Sequence, residues 1–123
     1  MIFITGGAFS GKRDYARDNF DASDFVKGLE TFEKLCKASA VYDFQLFIKY
    51  CMENDLDAIA ATEKLIKKNP DAIIISDEVG CGIVPIDAAD RRWRELCGRV
   101  NCLLASRAET VVRVVCGIGR VMK

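Results

Sequence analysis

The sequence predicts an α/β fold: a three-layer α/β/α sandwich around a mostly parallel sheet, built as one domain over residues 1–123. Three observations predict it. Met1–Thr5 (MIFIT) and Asp71–Ser76 (DAIIIS) are near-continuous apolar runs rather than alternating ones, which is how strands covered on both faces read. Segments with helical periodicity separate the strand-like runs, and strands alternating with helices imply parallel pairing. A glycine-rich turn, Gly6-Gly-Ala-Phe-Ser-Gly11-Lys12, joins the first strand directly to a helix.

The elements follow in order. Met1–Thr5 is the first strand, ended by a double glycine, and Gly11 to about Phe20 is the polar helix after the turn. Asp24–Lys27 (DFVK) reads as a short second strand, punctuated by Gly28, and Glu30–Ala38 is weakly helical. Asp43–Glu53 carries Phe44, Phe47, Ile48 and Cys51 at helical spacing, an apolar stripe that packs in a core or, less commonly, against a neighbouring subunit. Leu56–Lys68 is the clearest helix, with Leu56, Ile59, Ala60, Leu65 and Ile66 expected inward and Glu63, Lys67 and Lys68 outward; Asn69-Pro70 stops it. Asp71–Ser76 is a further strand with Asp77-Glu78 at its end, and Gly80–Pro85 is a loop. Asp87 to about Ser106 is a long amphipathic helix with Trp93, Leu96, Cys97, Val100 and Leu104 on its apolar side. Thr110–Cys116 is the last strand, and Gly117-Ile-Gly119 breaks it.

Gly6 to Lys12 matches GxxxxGK, the phosphate-binding loop, and makes the fold P-loop NTPase-like. Glycines let successive backbone amides turn inward and form an anion nest. The helix that starts near Gly11 adds the positive end of its dipole. Lys12 supplies a mobile positive charge for the outer phosphates. The nucleotide-binding candidates are therefore Gly6, Gly7, Ala8, Phe9, Ser10, Gly11, Lys12 and Arg13. The full pattern places Ser or Thr after the lysine, as a magnesium ligand. Arg13 stands there instead, and the Ser10 hydroxyl lies on the other side of the lysine.

Asp77 and Glu78 end an apolar strand, where such folds hold a metal or polarise a nucleophile; a simple acidic strand end is the alternative. In an open α/β sheet ligands sit at the carboxyl ends of parallel strands, so the loop and these two acids would share one crevice. Asp77 is the candidate Mg²⁺ ligand, and Lys12 with Glu78 are the candidate catalytic residues. Asp43 precedes an apolar helix and, by pattern alone, is a helix N-cap.

Composition excludes other classes. Lys plus Arg and Asp plus Glu both number 18, so the net charge is zero, without the basic excess of nucleic-acid or membrane-surface binders. No apolar run is long enough to span a bilayer, and Met1–Thr5 is too short for a secretory signal, so the expected location is the cytoplasm. The six cysteines include no CxxC pair and the chain has no histidine, so the thiols read as small core residues rather than metal ligands. Chemistry must rest on lysine, carboxylates, hydroxyls, amides and a bound ion.

Four segments occur in a recognisable order: Gly6–Lys12, Asp77-Glu-Val-Gly-Cys-Gly-Ile-Val-Pro85, Gly98-Arg-Val-Asn101 and Val115-Cys-Gly-Ile-Gly119. In these the chain resembles the bifunctional adenosylcobinamide kinase and adenosylcobinamide-phosphate guanylyltransferase family of cobalamin biosynthesis. The likeness is nearly continuous from Ala72 onward and poor over residues 21–70, apart from Val41-Tyr-Asp43 and Leu46. The resemblance implies a nucleoside triphosphate, GTP or ATP, bound with Mg²⁺ and used to phosphorylate the aminopropanol hydroxyl of adenosylcobinamide. It implies that Asp43 and Glu78 sit near the nucleotide and that the protein is a homo-oligomer, a trimer. It also implies transfer of GMP through a guanylated histidine, which this histidine-free chain cannot use. Three readings follow: an enzyme of this type, whole or kinase only; a nucleotide-binding relative with a structural or regulatory role; or a small kinase with a different acceptor on the same scaffold.

Overall fold

Continuous apolar runs become the centre of a sheet because only a position covered on both faces removes all their side chains from water. The computed structural model describes residues 1–79 and 87–123. Strand β1 (Ile2–Gly6) is followed by helix α1 (Lys12–Phe20), β2 (Phe25–Lys27), α2 (Phe32–Lys37) and β3 (Ala40–Tyr42). Helices α3 (Phe44–Glu53) and α4 (Ala58–Lys68) lead to β4 (Ile73–Asp77), and α5 (Ala88–Arg107) to β5 (Thr110–Val115) and β6 (Ile118–Val121). Among the described residues the six strands form one sheet in the order β2-β3-β4-β1-β5-β6. All pairings are parallel except β5 with β6.

The two apolar runs of the sequence lie side by side in the middle, paired from Ile2 with Ile73 to Gly6 with Asp77. That register brings the glycine loop and the acidic strand end together. One face of the sheet carries α1, whose Ala16 packs on Ile4, Ile75, Val112 and Val114. The other carries α2 to α5, packed through Leu35, Phe44, Ile48, Leu65, Cys97, Val100 and Leu104. The result is the three-layer α/β/α architecture, with α1 the single helix of one outer layer among the described residues.

Local capping sets several boundaries. Thr31, Asp57 and Asp87 each accept a hydrogen bond from an amide in the first turn of α2, α4 and α5, at 3.3, 3.1 and 2.7 Å. Asn69 ends α4 and donates its side-chain amide to the carbonyls of Leu35 and Ala38, at 3.0 and 2.7 Å, tying α2 to the start of β4.

Four expectations are corrected. Helix α4 starts at Ala58, because Asp55 takes a left-handed conformation (φ 54°) and Asp57 caps the next residue; Leu56 stays outside and half-exposed. Its inward face is Ala58, Thr62 and Leu65, with Ile59 and Ile66 partly buried and Ala60 exposed. The last strand is not β5: Cys116 and Gly117, at φ 50° and 77°, make a two-residue hairpin turn into β6. Asp43 occupies the N-cap position of α3, but in a left-handed conformation (φ 52°) its carboxylate makes no capping bond.

Cys51 and Cys97 are the small core residues that the sequence implies, and burial pushes the Cys97 thiol up to about 12. Cys51 is raised too, by burial and then by the charge of Asp57. Cys102 and Cys116 are exposed, contrary to that expectation. Phe44 and Phe47 pack inside the domain, at 5.1 Å between ring centres, whereas Tyr50 is half-exposed. Among the described residues no helix is long and apolar enough to cross a membrane. The Gly80–Pro85 loop, with Cys81, lies outside the described residues.

Candidate functional site

The loop after β1 is shaped by what its glycines permit. A Cβ on Gly6 would run into the Val114 carbonyl oxygen of the neighbouring strand and the Ser10 hydroxyl, so only glycine fits. Gly11 has φ 91°, and a Cβ there would lie 3.2 Å from the Gly117 Cα. The loop closes through Ser10 N donating to the Gly7 carbonyl at 3.3 Å. The hairpin turn supports it from outside, with Gly117 N donating to the Ser10 carbonyl at 2.7 Å. Phe9, at φ 58°, projects fully into solvent. Helix α1 begins at the end of this loop and aims its free amides at the same space.

Lys12 is the buried charge of the site, with only 7% of its surface exposed. Its Nζ donates to the Gly7 carbonyl at 2.6 Å and to Ser10 Oγ at 3.4 Å, and pairs with Asp77 Oδ1 at 2.7 Å. A buried ammonium needs such partners to offset its lost hydration. Glu78 N donates to the Gly6 carbonyl at 2.8 Å. The Glu78 carboxylate, however, accepts a two-pronged bond from Arg113 at 2.8 and 3.1 Å and does not line the cleft.

The opposite wall comes from the end of β3 and the start of α3. Asp43 lines the cleft, and Gln45 beside it is buried. Gln45 Oε1 accepts from Asp77 N at 3.0 Å, and its Nε2 donates to Asp43 Oδ1 at 3.4 Å. The Gln45 carbonyl accepts from Trp93 Nε1 at 3.0 Å, which fastens this wall to α5. Arg13 lies 4.5 Å above the centre of the Tyr42 ring. Arg17, paired with Asp14 at 2.8 Å, lies 5.4 Å from the Phe25 ring centre. These residues enclose a cleft of about 620 Å³ at the carboxyl ends of the parallel strands.

Of the sequence candidates, Ala8, Phe9, Ser10, Gly11, Lys12, Arg13, Asp43 and Asp77 line this cleft. Gly6 and Gly7 shape the loop from behind. Sequence reasoning missed Gln45, Tyr42 and Arg17. The one local signal for Gln45 is a polar residue beside a stripe of Phe44, Phe47 and Ile48. A second hollow, about 420 Å³ between α2, α3 and α4, is lined mainly by apolar groups such as Leu29, Phe32, Tyr50 and Leu56 and lacks an anion-binding set.

The cleft can hold a polyanion: loop amides, a helix terminus, a buried lysine and two arginines surround one space. Among the described residues its side chains do not fit a direct magnesium site. Arg13 has no lone pair to give a metal, and Asp77 is already paired with Lys12. Among the described residues no three acidic or thiol side chains converge.

Comparison with known proteins points to the same family. The family described as cobinamide kinase / cobinamide phosphate guanyltransferase matches residues 34–122, a stretch that begins after the glycine loop. The bifunctional adenosylcobalamin biosynthesis protein CobU of Salmonella typhimurium is 43% identical over 61 residues, 50% of this chain and 32% of that protein. Its counterpart from Escherichia coli is 36% identical over 78 residues, 63% of this chain and 41% of that protein. The matches thus span about a third of one relative and about two-fifths of the other.

Proposed function

The chain belongs to the cobinamide kinase / cobinamide phosphate guanyltransferase family, and from that premise we propose that it binds GTP or ATP in the cleft beside Lys12 and acts on the aminopropanol arm of cobinamide in cobalamin biosynthesis. The observation that carries the reading is Lys12: a buried lysine inside a glycine loop, at the β1–α1 junction, facing an acidic strand end. In phosphoryl transfer the acceptor oxygen bonds to the terminal phosphorus as the bond to the bridging oxygen breaks. The protein contributes mainly position and charge. The loop amides and Lys12 would neutralise the phosphate oxygens, and Asp43 lies across the cleft from them. The same reading places the protein in the cytoplasm as a homo-oligomer, a trimer. The exposed Ile118 and Val121 on the edge strand β6 support an association surface.

Calorimetric titration with GTP and with ATP tests it, alongside a direct assay of adenosylcobinamide phosphorylation. Binding should be saturable and lost in Lys12→Ala. Failure of the unaltered chain to bind either nucleotide, with or without magnesium, sinks the reading.

A second reading is a nucleotide-binding relative that does not turn over, with a structural or regulatory role. Three observations favour it. The chain has no histidine to carry GMP, Arg13 replaces the hydroxyl, and the Glu78 carboxylate is held by Arg113 outside the cleft. Nucleotide binding with no phosphorylated product from adenosylcobinamide would select this reading. Radiolabelled GTP should leave no histidine-linked adduct in either case.

A further inference from the structure

A triphosphate entering this cleft carries several negative charges, and the usual partner for them is a divalent cation held by a hydroxyl after the loop lysine. That hydroxyl is replaced here by a side chain with permanent positive charge. Building on the nucleotide reading above, we propose that Arg13 takes the place of the divalent cation, so that the site binds nucleoside triphosphates without metal.

The geometry supports this in three ways. Arg13 is the second residue of α1, directly after Lys12, and lines the cleft with it. A guanidinium there faces the phosphate space at the positive end of the helix, where an anion is already favoured. Its aromatic neighbour holds it in place: the guanidinium lies 4.5 Å over Tyr42, which ends β3 on the other wall. Stacking of this kind removes part of the side-chain freedom that phosphate binding would otherwise have to remove. The third point is chemical. Guanidinium donates in a planar fork that matches phosphate oxygens and accepts nothing, so it binds the anion directly while offering a metal no ligand.

The carboxylates of the cleft fit the same picture. Asp77 is occupied by Lys12 at 2.7 Å, and Asp43 is within 3.4 Å of Gln45 Nε2. A dication would also face repulsion from the Arg13 guanidinium, which lines the same cleft.

Calorimetry on the whole chain with GTP and ATP, in EDTA and in magnesium chloride, tests the idea on wild type, Arg13→Ser and Arg13→Lys. Arg13 is exposed, so the variants should fold, and a thermal melt checks this. Wild-type affinity should agree within about threefold between the two buffers, while Arg13→Ser loses about tenfold or more in EDTA, the worth of a charge-assisted bond. Magnesium should restore binding to Arg13→Ser, which regains a hydroxyl ligand, and Arg13→Lys should fall between, keeping charge without the fork. Wild-type binding that requires magnesium overturns the proposal and leaves the nucleotide reading standing. Arg13→Ser binding as well as wild type in EDTA also overturns it. No binding by wild type in either buffer overturns both.

Discussion

Replacing Gln45 by leucine should destabilise the protein by an amount that its hydrogen bonds set. The side chain is buried, and its Oε1 is the acceptor for the Asp77 amide at 3.0 Å. Leucine keeps most of the volume, so the loss is polar rather than a cavity. The Asp77 N–H is then left without its acceptor, and the contact from Nε2 to Asp43, long at 3.4 Å, goes as well. Leaving one part-buried donor unsatisfied and losing a weak second bond costs about 2 kcal/mol. For a chain of this length that corresponds to a drop in melting temperature of roughly 8 °C. The assay is thermal unfolding followed by circular dichroism, with urea unfolding to convert the change into free energy. Nucleotide titration on the same variant should also show weaker binding, because Gln45 holds the Asp77 backbone whose carboxylate meets Lys12. A melting temperature within about 2 °C of wild type, well under the predicted shift, would refute the assignment of Gln45 as the strut of this wall.

Two further outcomes follow from packing away from the cleft. Asn69→Asp turns a donor to two carbonyls into a carboxylate facing the same carbonyls, and should cost about 2–4 kcal/mol in urea unfolding, more than Asn69→Ala. Wild-type stability in both variants would show that the amide's bonds do not matter, and equal loss in the two would show that the carboxylate adds no repulsion. Cys97 is a core thiol whose folded value is pushed up to about 12 from 9.0, so between those values the folded state keeps a proton that the unfolded chain gives up. Its contribution is complete below pH 9 and is lost as pH rises from 9 towards 12, because the unfolded chain releases the proton first. The stability gap between wild type and Cys97→Ala should therefore narrow by about 1.4 kcal/mol per pH unit in that window. A gap that stays constant from pH 9 to 11 contradicts it.

Where pattern reading succeeded, the signal was local. MIFIT and DAIIIS declare buried strands without knowledge of their neighbours, and the structure sets them side by side as β1 and β4. The stripe Phe44, Phe47, Ile48 and Cys51 declares a buried helix face in the same way. Reading failed where a neighbour decides. Ile118–Val121 contains a glycine and follows a Cys-Gly turn, so nothing in the segment alone marks a strand. Its place comes from the free edge of β5 and from Gly119, where a Cβ would strike the Tyr15 ring. Leu56 has helical periodicity with α4, yet the left-handed Asp55 and the Asp57 cap leave it outside.

The candidate site divides along the same line. Sequence by itself determined the glycine loop, Lys12, the missing hydroxyl at Arg13 and the acidic end of β4. Each is a matter of residue type at a fixed spacing, and backbone freedom, charge and lone pairs travel with the residue. Tertiary structure alone decided which charges meet. Lys12 is paired with Asp77, Glu78 is taken by Arg113 from β5, and Arg13 rests on Tyr42 from β3. Gln45 became part of the site only through its bonds to Asp43 and Asp77. These partners are distant in the chain and are brought together by sheet order and register. Local sequence does not encode those, because they follow from how every apolar face in the domain is covered at once.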